Sequence, residues 1–409
     1  MIEQRPSDER NRLRREWERV DSPFPPGSLG HWQAALEHSL GIPFTSGNRI
    51  EPLRNGVEIF PAMLDAIESA TESIEFLTFV YWSGEIAKRF AEALCRAAGR
   101  GVTVQVLLDS LGARVMSRRL LREMHRAGVN VQWFRPLRFP CIWDYTHRTH
   151  RKILVCDGTI GFTGGVGIAA EWEGDARSPA EWRDTHFQVS GPAVTGLRAA
   201  FVSNWLETAE PMLDQGVAMP TAMNPGTALA QVIRGAACIG WSDIATLFRT
   251  ICANVERELV IATAYFVPDA ITRDILCRTA ARGVKIQLLV PGKHTDYRVS
   301  RIAAESEFEP LLDSGIEIYK FVPTMFHSKL IIADRVLSCI GSPNFNQRSM
   351  KKDEEVCLNV LDQQLAELLL AHHVEDLSRS RKITRRAWKK RPLLRRLMES
   401  VVDPFKGEM

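Results

Sequence analysis

Two stretches of the chain carry the same order of apolar and polar positions. Ser73 to Asp109 opens with a run of apolar residues (SIEFLTFVYW). It continues as a helical pattern (IAKRFAEALCRAAG) and closes, after an Arg-Gly-Val, on the alternating segment VTVQVLLD. Arg257 to Gly292 repeats this with VIATAYFV, then ITRDILCRTAA, Arg-Gly-Val and VKIQLLVPG. Runs of period 2 predict strands and the 3.6 spacing between them predicts a helix. Gly101 and Gly283 fit the position just past a helix end, where a positive φ is needed. Strand, helix, strand in this order predicts right-handed parallel crossovers in an α/β layer. A further helical pattern follows each unit (SRRLLREMHRAG and FEPLLDSG), and the chain then returns as a strand.

The returning strands hold the chemistry. Residues 150 to 157 read HRKILVCD and residues 327 to 334 read HSKLIIAD. A glycine pair, Gly164 and Gly165, follows the first; Gly341, Ser342 and Asn344 follow the second at the same offset. In a strand, residues two apart share a face, so His150 and Lys152 point together, as do His327 and Lys329. The chain has 12 Lys against 40 Arg, yet both motif positions are Lys, which suits a compact point charge. Two imidazoles and two ammoniums brought together by a pseudo-twofold axis make a pocket for a phosphate. The lysines neutralise non-bridging oxygens, and backbone, hydroxyl and amide donors of Gly165, Ser342 and Asn344 add to them. One histidine attacks phosphorus; the other protonates the leaving alcohol and then activates the incoming one. This chemistry calls for no metal and no cofactor.

A nucleophilic imidazole needs an acceptor on its other nitrogen. Two acids stand in matching strands: Asp184, 34 residues after His150, and Glu355, 28 after His327. Each is expected to orient a histidine. Asp157 and Asp334 close the motifs; they count with the catalytic set, with a structural role in positioning the next loop as the competing reading.

The domains follow from the repeat: a charged N-terminal segment over 1–45, halves at 46–211 and 226–372, a proline-bearing linker over 212–225, and a tail from 373. The composition is that of a globular protein, 45% hydrophobic and 25% charged. The eight scattered cysteines include no Cys-x-x-Cys pair, which fits buried thiols rather than a zinc framework. No apolar run is long enough to span a bilayer. Net charge is +3 overall, but residues 373 to 409 alone carry +6, so the other 372 residues carry −3. Arg379 to Arg396 holds ten basic residues, and Leu393, Leu394, Leu397, Met398, Val401 and Val402 continue as an apolar stripe at helical spacing. That pattern predicts a basic helix lying on anionic lipid.

Two copies of H-x-K-x4-D, trailed by Gly-Gly in the first and Gly-Ser in the second, resemble the phospholipase D superfamily, and the chain from about Gly47 is similar to bacterial cardiolipin synthases. The similar stretches include GNRIEPLRNGVEIFPAMLDAI, HRKILVCDGTIGFTGGVGIAAEW, EWRDTHFQVSGPAV and GSPNFNQRSMKKDEE. The resemblance implies two phospholipase D-like repeats, each a mixed sheet flanked by helices, with the site between them. It also implies a phosphatidyl-histidine intermediate and synthesis of cardiolipin from phosphatidylglycerol. A hydrolase or a nuclease using the same two histidines is the alternative. The partners implied are an anionic phospholipid and a membrane surface, at the cytoplasmic face of a bacterial membrane, without nucleic acid and without a required oligomer. The chain departs from the family in two places. The first repeat reads GGVG, with Gly167 where an amide side chain is usual, and Asn346 replaces an acid after Gly-Ser-x-Asn-x.

Overall fold

The computed structural model describes residues 22–136, 146–208, 224–236 and 242–392, together with Val402 and Lys406. Residues 212–223 of the expected linker, and Leu393, Leu394, Leu397, Met398 and Val401 of the expected apolar stripe, lie outside the described residues.

Among the described residues fifteen strands form one sheet. In the first half these are β1 (Thr45–Arg54), β2 (Ser73–Thr78), β3 (Thr103–Asp109), β4 (Asn130–Phe134), β5 (Ile153–Cys156), β6 (Ile160–Gly164) and β7 (Thr185–Ser190). In the second they are β8 (Ala228–Gly235), β9 (Glu258–Ala262), β10 (Lys285–Pro291), β11 (Glu317–Phe321), β12 (Leu330–Ala333), β13 (Leu337–Gly341), β14 (Glu355–Leu361) and β15 (Ser380–Ile383). Outward from the centre the order is β1-β7-β6-β5-β2-β3-β4 on one side and β8-β14-β13-β12-β9-β10-β11-β15 on the other. Each of the seven strands of the first half therefore has its counterpart at the same place in the second, which is the expected pseudo-twofold, and β15 is added at the edge of the second half alone. β2, β3 and β4 run parallel, as do β9, β10 and β11, and the two crossovers in each set carry helices. The halves do not keep separate sheets: β1 and β8 pair antiparallel and join them at the centre.

β2, β5, β12 and β14 are buried at every position, as expected for strands covered by helices on both faces. One core layer packs the helices Asn55–Ser69 and Glu85–Gly99 on the first half, and a second packs Asp243–Asn254 and Ala270–Ala281 on the other. A third lies across the opposite face of both halves, under the helices Ala193–Trp205 and Gln363–Ser378.

The two terminal segments are more integrated than the sequence reading had them. Trp32, Ala35 and Leu36 fall on one face of the helix Leu29–Leu40, and that face is fully buried against Asp243–Asn254. Part of the N-terminal segment thus belongs to the core of the second half. The boundary at 372/373 falls inside the helix Gln363–Ser378. The basic stretch after it is not one continuous helix: Ser380–Ile383 pairs antiparallel with β11, and Trp388 is buried against Phe308. The two exposed charges of SRKI suit an edge strand, and the indole draws the next turn onto the body.

Candidate active site

Both motif segments cross to the opposite half just before their strands begin. The His150 amide donates to Glu354 O at 2.8 Å and the Glu354 amide to Arg148 O at 2.8 Å. In the matching place the His327 amide donates to Arg183 O at 2.7 Å and the Arg183 amide to Met325 O at 2.9 Å. Each histidine backbone is thereby tied to the segment that carries the other half's acid.

The acids follow that crossing. His150 Nδ1 lies 3.1 and 3.2 Å from the two Glu355 oxygens, and His327 Nδ1 lies 2.8 Å from Asp184 Oδ2. Both carboxylates are fully buried. Glu355 accepts from the Ser342 hydroxyl and, at 2.6 Å, from Ser349 Oγ. Asp184 accepts from Trp172 Nε1 at 2.9 Å and from the Thr185 amide at 2.8 Å. Burial pushes Glu355 up, but His150, Lys152 and the Ser342 hydroxyl outweigh it and hold the carboxyl at about 2. Burial likewise opposes ionisation of Asp184, and His327, Lys329 and Trp172 bring it below the usual range. Both acids are ionised and their histidines present the other ring nitrogen, Nε2, to the interior.

Burial and the Lys152 ammonium pull His150 down to about 4, against the upward pull of Glu355. His327 is lowered by burial and Lys329, against Asp184. The lysines are also depressed, Lys152 to about 7 and Lys329 to about 8; burial comes first, and for Lys152 repulsion from Lys329 adds to it. Lys152 Nζ donates to His150 O at 2.7 Å, and Lys329 Nζ to His327 O at 2.8 Å.

His150, Lys152 and His327 line one open cavity of about 650 Å³, with Asn344 beside them. Its walls differ. Phe79 packs on His150 at 5.2 Å between centroids, while Trp172 and Trp182 stand 5.2 and 5.3 Å from His327. Asn344 is buried and its Oδ1 has no partner. Asp353 also reaches the cavity: one oxygen takes Arg348 Nε at 2.8 Å, the other is unpartnered, and burial pushes the carboxyl up to about 7.

Several expected site residues do other work. Asp157 and Asp334 are far from the cavity, at the opposite ends of β5 and β12 from the histidines. Seven residues of extended chain span roughly 23 Å. Asp157 accepts from the amides of Thr71, Glu72 and Ser73 at 2.9, 2.8 and 2.9 Å, and Asp334 from those of Glu256, Arg257 and Glu258 at 3.1, 2.7 and 3.3 Å. The structure places both in turns rather than in the catalytic set. Gly165 gives no free donor, since its amide goes to Thr185 O at 3.5 Å. A Cβ there would lie 2.3 Å from Asp184 Oδ1, so glycine lets the carboxylate approach. Ser342 spends both donors, its amide on Val356 O and its hydroxyl on Glu355. At Gly167 a Cβ would meet Val80 Cβ at 2.6 Å and the Trp172 ring at 3.2 Å, so an indole and a valine fill the place of the amide side chain.

Trp172, Trp182, Arg183 and Asp353 were not singled out from sequence. Arg183 is fully buried and forms a double hydrogen bond with Asp376, both contacts at 2.9 Å. Asp184 is the last residue of the run EWRD, and the direct adjacency of Trp182 and Arg183 to that acid was the available signal.

The comparisons with known proteins agree with this geometry. The family model described as "Cardiolipin synthase, PLD-like domain" matches residues 63–171 and 250–376. The chain is 32% identical to the cardiolipin synthase of Geobacillus sp. (strain WCH70) over 370 residues, covering 90% of this chain and 74% of that protein. It is 29% identical to cardiolipin synthase 1 of Bacillus anthracis, covering 90% and 74%. Among solved structures, the phosphatidylserine synthase of Haemophilus influenzae Rd KW20 superimposes with a TM-score of 0.68 at 14% identity, covering 92% of this chain and 99% of that one, which shows a shared fold. The chain belongs to the cardiolipin synthase family of phospholipase D-like proteins.

Proposed function

We propose that this protein is a phosphatidyltransferase that makes cardiolipin from two molecules of phosphatidylglycerol. The observation that carries the reading is the pair of histidines facing one cavity, each with its lysine held beside it and an ionised buried acid behind its imidazole. In the proposed sequence, His150 Nε2 attacks the phosphorus of the first lipid. The phosphorus–oxygen bond to glycerol breaks, and His327 Nε2–H gives its proton to the departing oxygen. His327 then takes the proton from a hydroxyl of a second phosphatidylglycerol, whose oxygen displaces His150 from phosphorus. The proton taken in the second step replaces the one given in the first.

An imidazole lowered by burial and by Lys329 is a poor acid on its own. A phosphodiester seated between Lys152 and Lys329 brings negative charge beside the ring. That offsets the repulsion and lets His327 hold a proton. Asp184 is placed to stabilise the imidazolium so formed, and Glu355 to support the cation developed on His150. Asn344 is the remaining amide for a phosphate oxygen. His150 is assigned the nucleophile because its side chain is the more exposed, 13% against 6%, and because Lys329 Nζ already sits 3.3 Å from His327 Nε2. Among the described residues no helix is long and apolar enough to cross a membrane, and we place the enzyme peripherally, at the cytoplasmic face.

The test incubates purified protein with phosphatidylglycerol vesicles in the presence of a chelator and reads the lipids by mass spectrometry. Cardiolipin from the wild type, reduced about 10³-fold or more in His150→Ala and in His327→Ala, is the expected result. Phosphatidic acid in its place would make the protein a hydrolase. A nitrophenyl phosphodiester, whose leaving group needs no acid, separates the roles: His327→Ala should still release a burst of nitrophenolate and His150→Ala should not.

A further inference from the structure

β3 and β10 are counterparts, and the chain leaving each runs past the cavity mouth. After β3 the segment 110–117 contributes Arg114 and Val115 to the cavity wall; after β10 the segment 292–300 contributes Tyr297 and Ser300. The tips of these loops are apolar and in the open: Val115 is 58% exposed, Tyr297 61% and Val299 41%. Single exposed apolar residues are ordinary, but Val115 and Tyr297 line one opening from opposite halves, and Val299 stands exposed two residues after Tyr297, at the start of the helix Arg298–Ser306; together they are a patch.

Charge surrounds the same tips. Residues 110–119 hold Arg114, Arg118 and Arg119 with no acid; residues 292–301 hold Lys293, Arg298 and Arg301 with Asp296 alone. Arg119 pairs with Glu123. Arg114, Arg118, Lys293 and Arg298 are exposed and form no ion pair among the described residues. This stands out on a body whose first 372 residues carry −3. Apolar tips flanked by unpaired cations match the layering of an anionic bilayer, where hydrocarbon lies beneath a shell of phosphate.

We propose that these two loops are a docking rim that seats the cavity mouth on an anionic lipid surface. The proposal rests on the reading of the substrate as a phospholipid. It moves the main lipid contact away from the basic tail, whose strand and buried Trp388 are spent on the body. A lipid could then pass from the bilayer to His150 and His327 without crossing water.

Sedimentation of the full chain with vesicles tests this without reference to turnover. The vesicles are equal parts phosphatidylglycerol and phosphatidylcholine, with pure phosphatidylcholine for comparison. Wild type should bind the anionic vesicles. Val115→Asp/Val299→Asp should partition about 100-fold less, and Arg118→Gln/Arg298→Gln should lose most of its preference for the anionic lipid. Arg386→Glu/Lys390→Glu, in the tail, should bind as wild type. All the altered side chains are exposed, and thermal melts check that each variant is folded. Wild-type partitioning of the rim variants, an equal loss from the tail variant, or no binding by wild type would overturn the proposal. A chain that docks through the rim yet makes no cardiolipin would instead overturn the function proposed above.

Discussion

Lys152 and Lys329 are two buried ammoniums beside the catalytic histidines that are costly to keep charged. Their values of about 7 and 8 lie below the 10.5 of a free lysine, so the unfolded chain binds protons that the folded one has released. The sign follows: these two groups destabilise the unliganded protein most below pH 7, and the penalty is relieved as pH rises from about 7 toward 10.5. Lys152→Met should therefore raise the melting temperature at pH 7, by roughly 1–2 kcal/mol of stability, while removing turnover. Calorimetry beside the lipid assay reads both. Substrate binding should move the other way. As pH climbs past 8 the lysines lose the charge that holds the phosphodiester, and kcat/KM should fall about tenfold per unit. A profile flat from pH 7 to 9.5 would deny them that role. Glu355→Gln should cut turnover about 10²–10⁴-fold with little change in unfolding, since it leaves His150 without an ionised partner; near-normal turnover would remove Glu355 from the mechanism. The histidines and lysines were legible in the sequence because their spacing repeats, and the two acids because each stands in the matching strand of its half, 34 and 28 residues on. Which acid serves which histidine was not, since spacing along the chain says nothing about crossing between halves.

The elements that deliver these side chains are short strands ended by turns, and the motif aspartates belong to the turns. Asp157 and Asp334 adopt positive φ, 52° and 53°, and each gathers three successive amides at the start of β2 or β9. Asp334→Ala should cost about 2–4 kcal/mol, because three partly buried donors lose a charged acceptor, and Asp157→Ala about 1–2 kcal/mol, since two of its three donors are exposed to water. Urea unfolding measures the loss, and turnover per folded molecule should stay within about twofold of wild type. The sequence made these residues look like chemistry because they recur with His and Lys. A strand's length then carries them out of reach, which is geometry that a fixed spacing conceals. Gly167 is the reverse case. It reads as a missing donor, yet the space is taken by Val80 and Trp172, so Gly167→Asn should lower the melting temperature and not improve turnover.

Over the whole molecule, the site exists because the halves are locked together. His150 is tied to 354–355 and His327 to 183–184, and Arg183 is fixed in turn by Asp376 of the second half. Breaking that buried pair by Asp376→Ala leaves an uncompensated guanidinium and should cost about 3–5 kcal/mol. Because the Arg183 carbonyl holds the His327 amide, turnover should fall with it even below the unfolding transition. The repeat made the twofold arrangement legible. The single continuous sheet was not, since β1 is a polar strand and its pairing with β8 shifts register between Thr45 and Asn48. Among the described residues the same sheet has two outer borders, β4 and β15. The second border is drawn from the basic stretch: Arg381 and Lys382 stand exposed on it and cover β11. Cut the chain before Ser380 and the hydrogen-bonding groups of β11 would lie open to any other extended chain. The stretch that reads in sequence as a hand reaching for lipid thus also keeps one copy of the enzyme from adding itself to the next.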